Sequence, residues 1–286
     1  MIEAVRTPAP ASTRVFTQSV GEYALEGRLL FAEQNSARNS IFAVHGARSD
    51  YTKLDPLLFW LQLAGVRSLS FNLSGHNAAS PVPLSETSLA ANLEEARAFY
   101  DLDPSCQAIL GQSMGGALAL KVAEANESTV DKLVLICPAI YPEAAYGPCF
   151  GAEFTQSIST PNGFMDSSSI SFLRRFRGKV MLIAGEYDGL RARDFGKPDG
   201  RSAGHVMMNG KSINSAIPYE VFNAIESAVS PDQLTKIVLP DCDHGVSAWL
   251  RRDPERVTRL GRAILEFLGP SSRTGLRDGH PPADPS

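Results

Sequence analysis

The 286-residue chain lacks the long apolar runs and the metal and nucleotide motifs that several function classes require. No apolar run approaches the roughly 20 residues that cross a bilayer, and no HExxH, CxxC or P-loop pattern occurs. An excess of one charge is also missing, since 27 Lys and Arg against 31 Asp and Glu give a formal net charge of −4. That balance does not provide the excess of positive charge with which proteins bind a polyanion such as DNA or RNA. We therefore expect no membrane span, no nucleic-acid partner, and no metal or other cofactor.

The N-terminal residues do not show a basic segment followed by an apolar one, so no secretory signal is evident and we expect a cytoplasmic protein. The four cysteines are scattered along the chain, and three of them lie in or beside apolar runs. In a reducing compartment, this placement favours buried thiols over disulfides or metal ligands. The residues concerned are Cys106, Cys137, Cys149 and Cys242.

Short β-like runs alternate with amphipathic stretches over residues 14–268, which is typical of an α/β protein. A tight turn joins the first two runs as a hairpin, but crossover helices separate later ones, and such connections indicate parallel strands. We predict a doubly wound α/β fold. Its strands are expected at residues 14–20, 23–32, 40–44, 66–72, 107–110, 132–137, 180–184 and 235–239, and its helices at 52–64, 89–102, 116–126 and 254–268.

Some segments do not follow this alternation. Residues 138–178 lie between two strands and are rich in Pro, Gly, Ser and aromatic residues, which favours a lid over the carboxyl edge of the sheet. Residues 190–216 form a second insertion, either a flap that contributes to a substrate pocket or a surface excursion. From their composition, residues 1–13 are expected to be flexible and residues 269–286 disordered.

The most informative motif is Gly111-Gln112-Ser113-Met114-Gly115-Gly116, a G-x-S-x-G pattern between a β-run and a helical run. A strand-to-helix turn this tight strains the serine backbone and leaves no room for side chains beside it, which explains the glycines. The turn presents the Ser113 hydroxyl at the N-terminus of a helix. The motif therefore predicts a nucleophile.

A serine hydroxyl needs a general base, which in turn is oriented by a third group. His244 follows the last predicted strand and Asp188 the one before it, so both are expected at the same carboxyl edge of the sheet as Ser113. The order Ser, Asp, His along the chain is that of one fold. Asp241, Asp243 and Glu186 are alternative acids, although residues adjacent to a histidine rarely face its ring.

These residues and their order resemble the α/β-hydrolase family over about residues 14–268. The segment Phe71-Asn72-Leu73-Ser74-Gly75-His76-Asn77 is similar to that of the serine aminopeptidase-like and cinnamoyl or feruloyl esterase branch, with asparagine at positions 72 and 77 where Asp and Gly are usual. The resemblance implies a mostly parallel eight-stranded sheet, flanked by helices and covered by a short lid.

The resemblance also implies an oxyanion hole. The segment His45-Gly46-Ala47 looks like the family's oxyanion loop, which implies that the backbone N–H groups of Ala47 and Met114 bind the developing negative charge. His45 and His76 are then expected to be structural side chains that shape their loops.

Together these features predict a serine hydrolase that cleaves a carboxylic ester or thioester of a small to medium acyl group through an acyl-enzyme. The expected partner is a small-molecule acyl substrate, bound by Arg48 and Tyr51 after the oxyanion loop and by Tyr141 and Tyr146 in the lid. Two alternatives remain open at this stage. The same three residues can serve an acyltransferase or cyclase, and the fold can serve as a non-catalytic ligand-binding protein.

Overall fold

The computed structural model describes residues 11–32, 40–189, 204–208 and 211–269. Most of the predicted 190–216 insertion and all but one residue of the 269–286 tail lie outside these ranges, as do residues 1–10. Residues 11–13, which were expected to be flexible, belong to the first strand. Among the described residues, no helix is both long and apolar enough to span a bilayer.

Eight strands form one sheet in the order β1-β2-β4-β3-β5-β6-β7-β10, and β8 and β9 form a separate antiparallel pair. The β1–β2 and β2–β4 pairs are antiparallel and the others in the large sheet are parallel. This confirms the predicted mostly parallel, eight-stranded α/β sheet. The bounds are β1 Ala11–Val20, β2 Tyr23–Ala32, β3 Ser40–Val44, β4 Arg67–Phe71, β5 Ala108–Gln112, β6 Lys132–Ile136, β7 Lys179–Gly185, β8 Gly204–Met208, β9 Lys211–Ser215 and β10 Leu234–Leu239.

Helices cover both faces of the sheet, so it is doubly wound as predicted. One buried apolar cluster includes residues of α2, α3, α5 and α6, and a second includes residues of α1, α7 and α8. The helices are α1 Asp55–Leu63, α2 Leu89–Tyr100, α3 Met114–Ala125, α4 Ala152–Ser157, α5 Ser168–Arg175, α6 Tyr219–Ala228, α7 Val246–Arg251 and α8 Pro254–Leu268.

Strand β6 shows how sequence periodicity produces this layering. Leu133 and Leu135 belong to the cluster on one face, whereas Val134 and Ile136 belong to the cluster on the other. Successive side chains of a strand point to opposite faces, so an uninterrupted apolar run needs a helical layer on each side. The buried parallel strands therefore specify the doubly wound arrangement.

The segment between β6 and β7 contains two short 3-10 helices, Glu143–Ala145 and Gly163–Asp166, together with α4 and α5. Ile170, Phe172 and Leu173 of α5 are buried in the core, so α5 is the crossover helix between β6 and β7. The part before α5 is held to α3 by Lys121, whose Nζ donates to Glu143. A lid role for this part stays a prediction.

The predicted cysteine environments are correct for three of the four residues. All four thiols are free, and Cys106, Cys137 and Cys242 are buried. The expectation for Cys149 is wrong, because its side chain is exposed beside an isolated bridge to Ser88.

Candidate active site

Ser113 lies at the sharp turn between β5 and α3, where its backbone adopts φ 55° and ψ −122°. A positive φ at a residue other than glycine is strained and persists only where the surroundings impose it. Here the flanking residues allow a very close approach: a Cβ on Gly115 would lie 2.3 Å from the Val44 carbonyl oxygen, and one on Gly111 2.4 Å from the Gly115 carbonyl oxygen. The turn has the geometry that the motif predicts.

The structure brings Ser113, His244 and Asp188 together in one hydrogen-bonded chain. The His244 Nε2 atom lies 2.9 Å from Ser113 Oγ, and His244 Nδ1 lies 2.7 Å from Asp188 Oδ2. Asp188 is fully buried, and its Oδ1 accepts a hydrogen bond of 3.1 Å from the Ile217 N–H. Because an ionised carboxylate only accepts, Nδ1 carries the ring proton, and Nε2 is left to accept the proton of the Ser113 hydroxyl.

The alternative acids are engaged elsewhere. Asp243 accepts from the backbone N–H groups of Gly245 (2.8 Å) and Asn214 (3.0 Å). Asp241 accepts from the Tyr187 hydroxyl, and Glu186 accepts from the backbone of Asp241. Each of these contacts organises the loop around His244. Asp188 is therefore the carboxylate that orients the imidazole ring.

The described end of the 190–216 insertion lies beside this loop. Asn214 of β9 accepts a 2.8 Å hydrogen bond from the His244 N–H, and Ser215 accepts a 3.0 Å bond from the Gly189 N–H. β9 thus forms hydrogen bonds with the backbone directly after Asp188 and with the backbone of His244. Whether the insertion also contributes to a substrate pocket stays a prediction, as does the alternative of a surface excursion.

The predicted oxyanion residues, Met114 and Ala47, follow Ser113 and Gly46, and their role stays a prediction. Met114 is the first residue of α3, so its N–H has no acceptor within the helix and lies at the positive end of the helix dipole. A Cβ on Gly46 would lie 3.1 Å from Ser113 Cβ, which places the 45–47 loop directly alongside the serine. Ala47, next in that loop, is exposed. A carbonyl oxygen can approach there from solvent.

His45 anchors the oxyanion loop from inside the protein. Its side chain is fully buried and its Nε2 accepts a 3.0 Å hydrogen bond from the Leu73 N–H. Nδ1 therefore carries the proton and donates to the Gly46 carbonyl at 2.7 Å. Burial lowers the pKa of His45 to about 4. The ring is neutral at physiological pH and acts as a structural link between the loops after β3 and β4.

His76 makes a second link and is itself held by a buried polar chain. The Arg48 N–H donates to His76 Nδ1 at 3.2 Å, and His76 Nε2 donates to Asn92 Oδ1 at 2.8 Å. Asn92 in turn donates to the fully buried Glu95 carboxylate at 3.0 Å. Burial also lowers the pKa of His76. The sequence analysis did not identify Asn92 and Glu95. The pattern that could have indicated them is that both are polar residues on the otherwise apolar face of α2.

Arg48 and Tyr51, the predicted substrate-binding residues after the oxyanion loop, differ in their surroundings. Arg48 is exposed. Tyr51 is buried: its hydroxyl donates to Glu26, and the Arg28 guanidinium lies 4.3 Å from its ring centroid. The Tyr51 N–H donates to Asn72 Oδ1 at 3.2 Å, so the asparagine that departs from the family pattern keeps an acceptor at this point. These contacts give Tyr51 a structural role and argue against substrate binding.

The two predicted lid tyrosines face different surroundings. The Ala139 N–H donates to the Ser113 carbonyl at 2.9 Å, so the segment that leads to Tyr141 starts beside the serine. Tyr141 and Phe154 have ring centroids 5.7 Å apart. Phe154 lies 4.9 Å from Phe150, which lies 5.1 Å from His76. We call Tyr141, Phe150 and Phe154 the aromatic row.

Tyr146 has polar surroundings that the row does not share. Its ring packs under the Lys121 ammonium, 4.9 Å from the ring centroid, and burial raises the pKa of the phenol. It lines a cavity of about 450 Å³ between α2, α3 and the lid segment, and the residues lining this cavity do not include Ser113, Asp188 or His244. The structure therefore does not place Tyr146 beside Ser113, as the substrate-binding prediction would require.

A thiol also lies at the site. The Cys137 Sγ, an Asp188 oxygen and a His244 nitrogen all lie within 4.8 Å of one another. These are ligand types that zinc accepts, but two ligands of a tetrahedral zinc ion lie about 3.3 Å apart. The 2.7 Å separation of His244 Nδ1 and Asp188 Oδ2 fits a shared proton better than a shared metal ion.

Comparison with known proteins supports the fold. A family model described as "Serine aminopeptidase, S33" matches residues 35–163. Similar solved structures include Est1E from Butyrivibrio proteoclasticus with bound ferulic acid, at 16% identity over 88% of this chain and 99% of that one, with a TM-score of 0.63. A putative hydrolase from Agrobacterium vitis is 21% identical over 91% and 99%, with a TM-score of 0.58.

A third similar structure is a thioesterase domain from the curacin biosynthetic pathway, 14% identical over 89% of this chain and 99% of that one, with a TM-score of 0.57. No curated protein matches. At these identities the solved structures establish the architecture only.

Replacing Gly115 tests the close approach at the turn. Because the new Cβ would meet backbone atoms, we expect Gly115→Ala to lower the free energy of unfolding by about 2 kcal/mol or more. Gly147→Ala is the matched control, since no atom lies within 4 Å of its added Cβ. Urea denaturation measures both. Equal stabilities of the two variants would show that α3 does not need this approach.

The neutral state of His45 has a consequence for pH. Its pKa is lower in the folded chain than in the unfolded one, so its stabilising contribution is complete above pH 6.5 and is lost as the pH falls towards 4. We expect roughly 2–3 kcal/mol to be lost from this group at pH 4.5.

His45→Gln keeps an acceptor for Leu73 but cannot titrate. Urea denaturation at pH 7.5 and 4.5 should show a smaller pH effect in this variant than in the unmodified protein, whatever its absolute stability. An identical pH effect in both proteins would mean that His45 does not resist protonation in the fold.

Proposed function

We propose that this chain, a member of the α/β-hydrolase superfamily by its fold, is a serine hydrolase that cleaves an ester or thioester of a small to medium acyl group. One observation carries the proposal. Ser113 Oγ, His244 and Asp188 form an unbroken chain of contacts of 2.9 and 2.7 Å at the N-terminus of α3. This is the geometry of an activated nucleophile with an oriented base.

In the proposed mechanism, Ser113 Oγ attacks the carbonyl carbon and its proton passes to His244 Nε2. The resulting tetrahedral intermediate places its oxyanion between the N–H groups of Met114 and Ala47. Each such donor lowers the barrier by about 3 kcal/mol. The protonated imidazole then gives its proton to the departing alkoxide or thiolate. A water molecule, deprotonated by the same nitrogen, releases the acid and regenerates Ser113.

Asp188 has two effects in this sequence. Its Oδ2 contact with Nδ1 fixes the tautomer, and its negative charge stabilises the imidazolium that forms in each half-reaction. Because the carboxylate is fully buried, water does not compete for it. The second oxygen is held by the Ile217 N–H, which prevents rotation of the carboxylate away from the ring.

The aromatic row supports an apolar acyl group as the substrate portion nearest to Ser113. Tyr141 is two residues from Ala139, whose N–H binds the Ser113 carbonyl, and Phe150 lies against the His76 ring that holds the oxyanion loop. The row therefore connects the two sides of the proposed site. Among the similar solved structures, one holds bound ferulic acid and one is described as a thioesterase domain, and both are consistent with an ester or thioester substrate.

Replacement of the proposed nucleophile tests the mechanism. We expect Ser113→Ala to lower kcat about 10,000-fold or more on a panel of p-nitrophenyl esters and acyl thioesters, because no other group can form the acyl-enzyme. A fluorophosphonate probe should label the unmodified protein and not this variant.

Ser128→Ala is the control, since Ser128 is exposed in the turn that follows α3. It should keep full turnover and labelling. Retained turnover in Ser113→Ala would contradict the mechanism. Absence of labelling in the unmodified, folded protein would instead favour the ligand-binding alternative. Adding an alcohol or amine acceptor and analysing the products separates hydrolysis from acyl transfer.

Shortening the aromatic row tests the acyl site. Phe154 contacts both Tyr141 and Phe150. We expect Phe154→Ala to lower kcat/KM about 10-fold for benzoyl or octanoyl esters but less than twofold for acetyl esters, since only longer acyl groups lose apolar contact. Met165→Ala, an exposed residue of the same segment, is the control. Equal losses for all chain lengths would place the acyl group elsewhere.

A further inference from the structure

Cys137 occupies an unusual position directly after β6. Its backbone has a positive φ of 44°, which is strained at a residue with a side chain. Its N–H donates to the Ile183 carbonyl at 2.7 Å, and its Sγ accepts a 3.4 Å hydrogen bond from the Gly185 N–H. Both partners belong to β7. The strand that leads to Asp188 therefore fixes this thiol by two contacts.

The Cys137 thiol lies near Asp188, the buried end of the hydrogen-bonded chain that starts at Ser113. Its sulfur lies within 4.8 Å of an Asp188 oxygen and of a His244 nitrogen, and its side chain is fully buried. A buried carboxylate requires several donors. From the described part of the chain Asp188 receives two, from the His244 ring and the Ile217 N–H. In its contact with the Gly185 N–H the sulfur acts as an acceptor, so this contact does not use the S–H proton. The proton can therefore be donated to Asp188.

We propose that Cys137 is a positioning residue for the reaction. Its S–H group donates a hydrogen bond to the Asp188 carboxylate and thereby sets the orientation and basicity of the His244 ring. The proposal rests on the function proposed above. No covalent step is involved: the thiol keeps its proton, and Ser113 remains the nucleophile.

The chemistry of the pocket favours a donor over a thiolate. Burial, together with the neighbouring Asp188 charge, raises the pKa of the Cys137 thiol well above its ordinary value. Among the described residues, the titratable groups around this pocket include His244, Cys242 and Asp243, all from the loop after β10. Cys242 is also buried, but its S–H donates to the Asp243 carbonyl at 3.2 Å. It is a matched control for losing a buried sulfur.

Three variants separate positioning from packing. In Cys137→Ala the Asp188 carboxylate loses a hydrogen-bond donor and can change its orientation more easily. We therefore expect kcat to fall about fivefold, while KM stays within about twofold of the value for the unmodified enzyme. The midpoint of the acid limb of kcat/KM should move up by about 0.3–0.5 pH unit, because the lost S–H dipole leaves a more negative potential at the ring.

Cys137→Ser supplies an O–H donor and should restore both values to within about twofold of the unmodified enzyme and about 0.2 pH unit. Cys242→Ala should leave the acid limb in place even if it lowers the free energy of unfolding. An acid limb that is unchanged in Cys137→Ala, or that moves equally in Cys242→Ala, would overturn the proposal. So would a failure of the serine variant to restore it.

A readout without substrate distinguishes this proposal from the proposed function. The downfield ¹H NMR resonance of the His244 Nδ1 proton reports its contact with Asp188. We expect this resonance to shift in Cys137→Ala and to stay in place in Cys242→Ala. An unmoved resonance contradicts the positioning role. A shifted resonance in a protein that neither hydrolyses esters nor reacts with the fluorophosphonate supports the contact and overturns the proposed function alone.

Discussion

The contact between the first turn of α3 and the end of β3 is the constraint on which the site depends. Gly115 lets the helix approach to a distance at which any Cβ would meet the carbonyl oxygens of Val44 and His45. This approach puts Ser113, at the N-terminus of α3, beside Gly46 of the loop after β3. The proposed nucleophile can lie against this loop only because residue 115 has no side chain.

The loop that carries Ala47 has no regular secondary structure of its own, so buried polar groups hold it. Neutral His45 binds the loop after β4, and His76 passes the restraint on to Asn92 in α2. A buried polar group without a partner costs about 1–3 kcal/mol, which makes such a network intolerant of alternative loop positions. The burial of these hydrogen-bonded groups therefore restricts the loop to one position, as the proposed oxyanion hole requires.

The sequence predicted strands β3 to β7 well because each is an apolar run buried on both faces, and it predicted the meeting of Ser113, Asp188 and His244 because parallel strands end at one edge. It did not predict β8, β9 or the helices α4 to α7, which are short or lie in or next to the insertions. Contacts between residues that are far apart in the chain were not predicted from the sequence either. Tyr51 meets Glu26 across 25 positions, and no local pattern distinguishes that from a substrate contact.

Asp188, and not Asp243, is the acid that acts on the His244 ring. Both carboxylates lie close to His244, and each accepts two hydrogen bonds from described residues. Both partners of the Asp243 carboxylate are backbone N–H groups, so it shapes the loop. Asp188 accepts from one backbone group and from the ring itself, so its charge acts on the imidazole. The difference arises because Asp188 approaches from a neighbouring strand, whereas a residue adjacent to His244 is turned away by its own backbone.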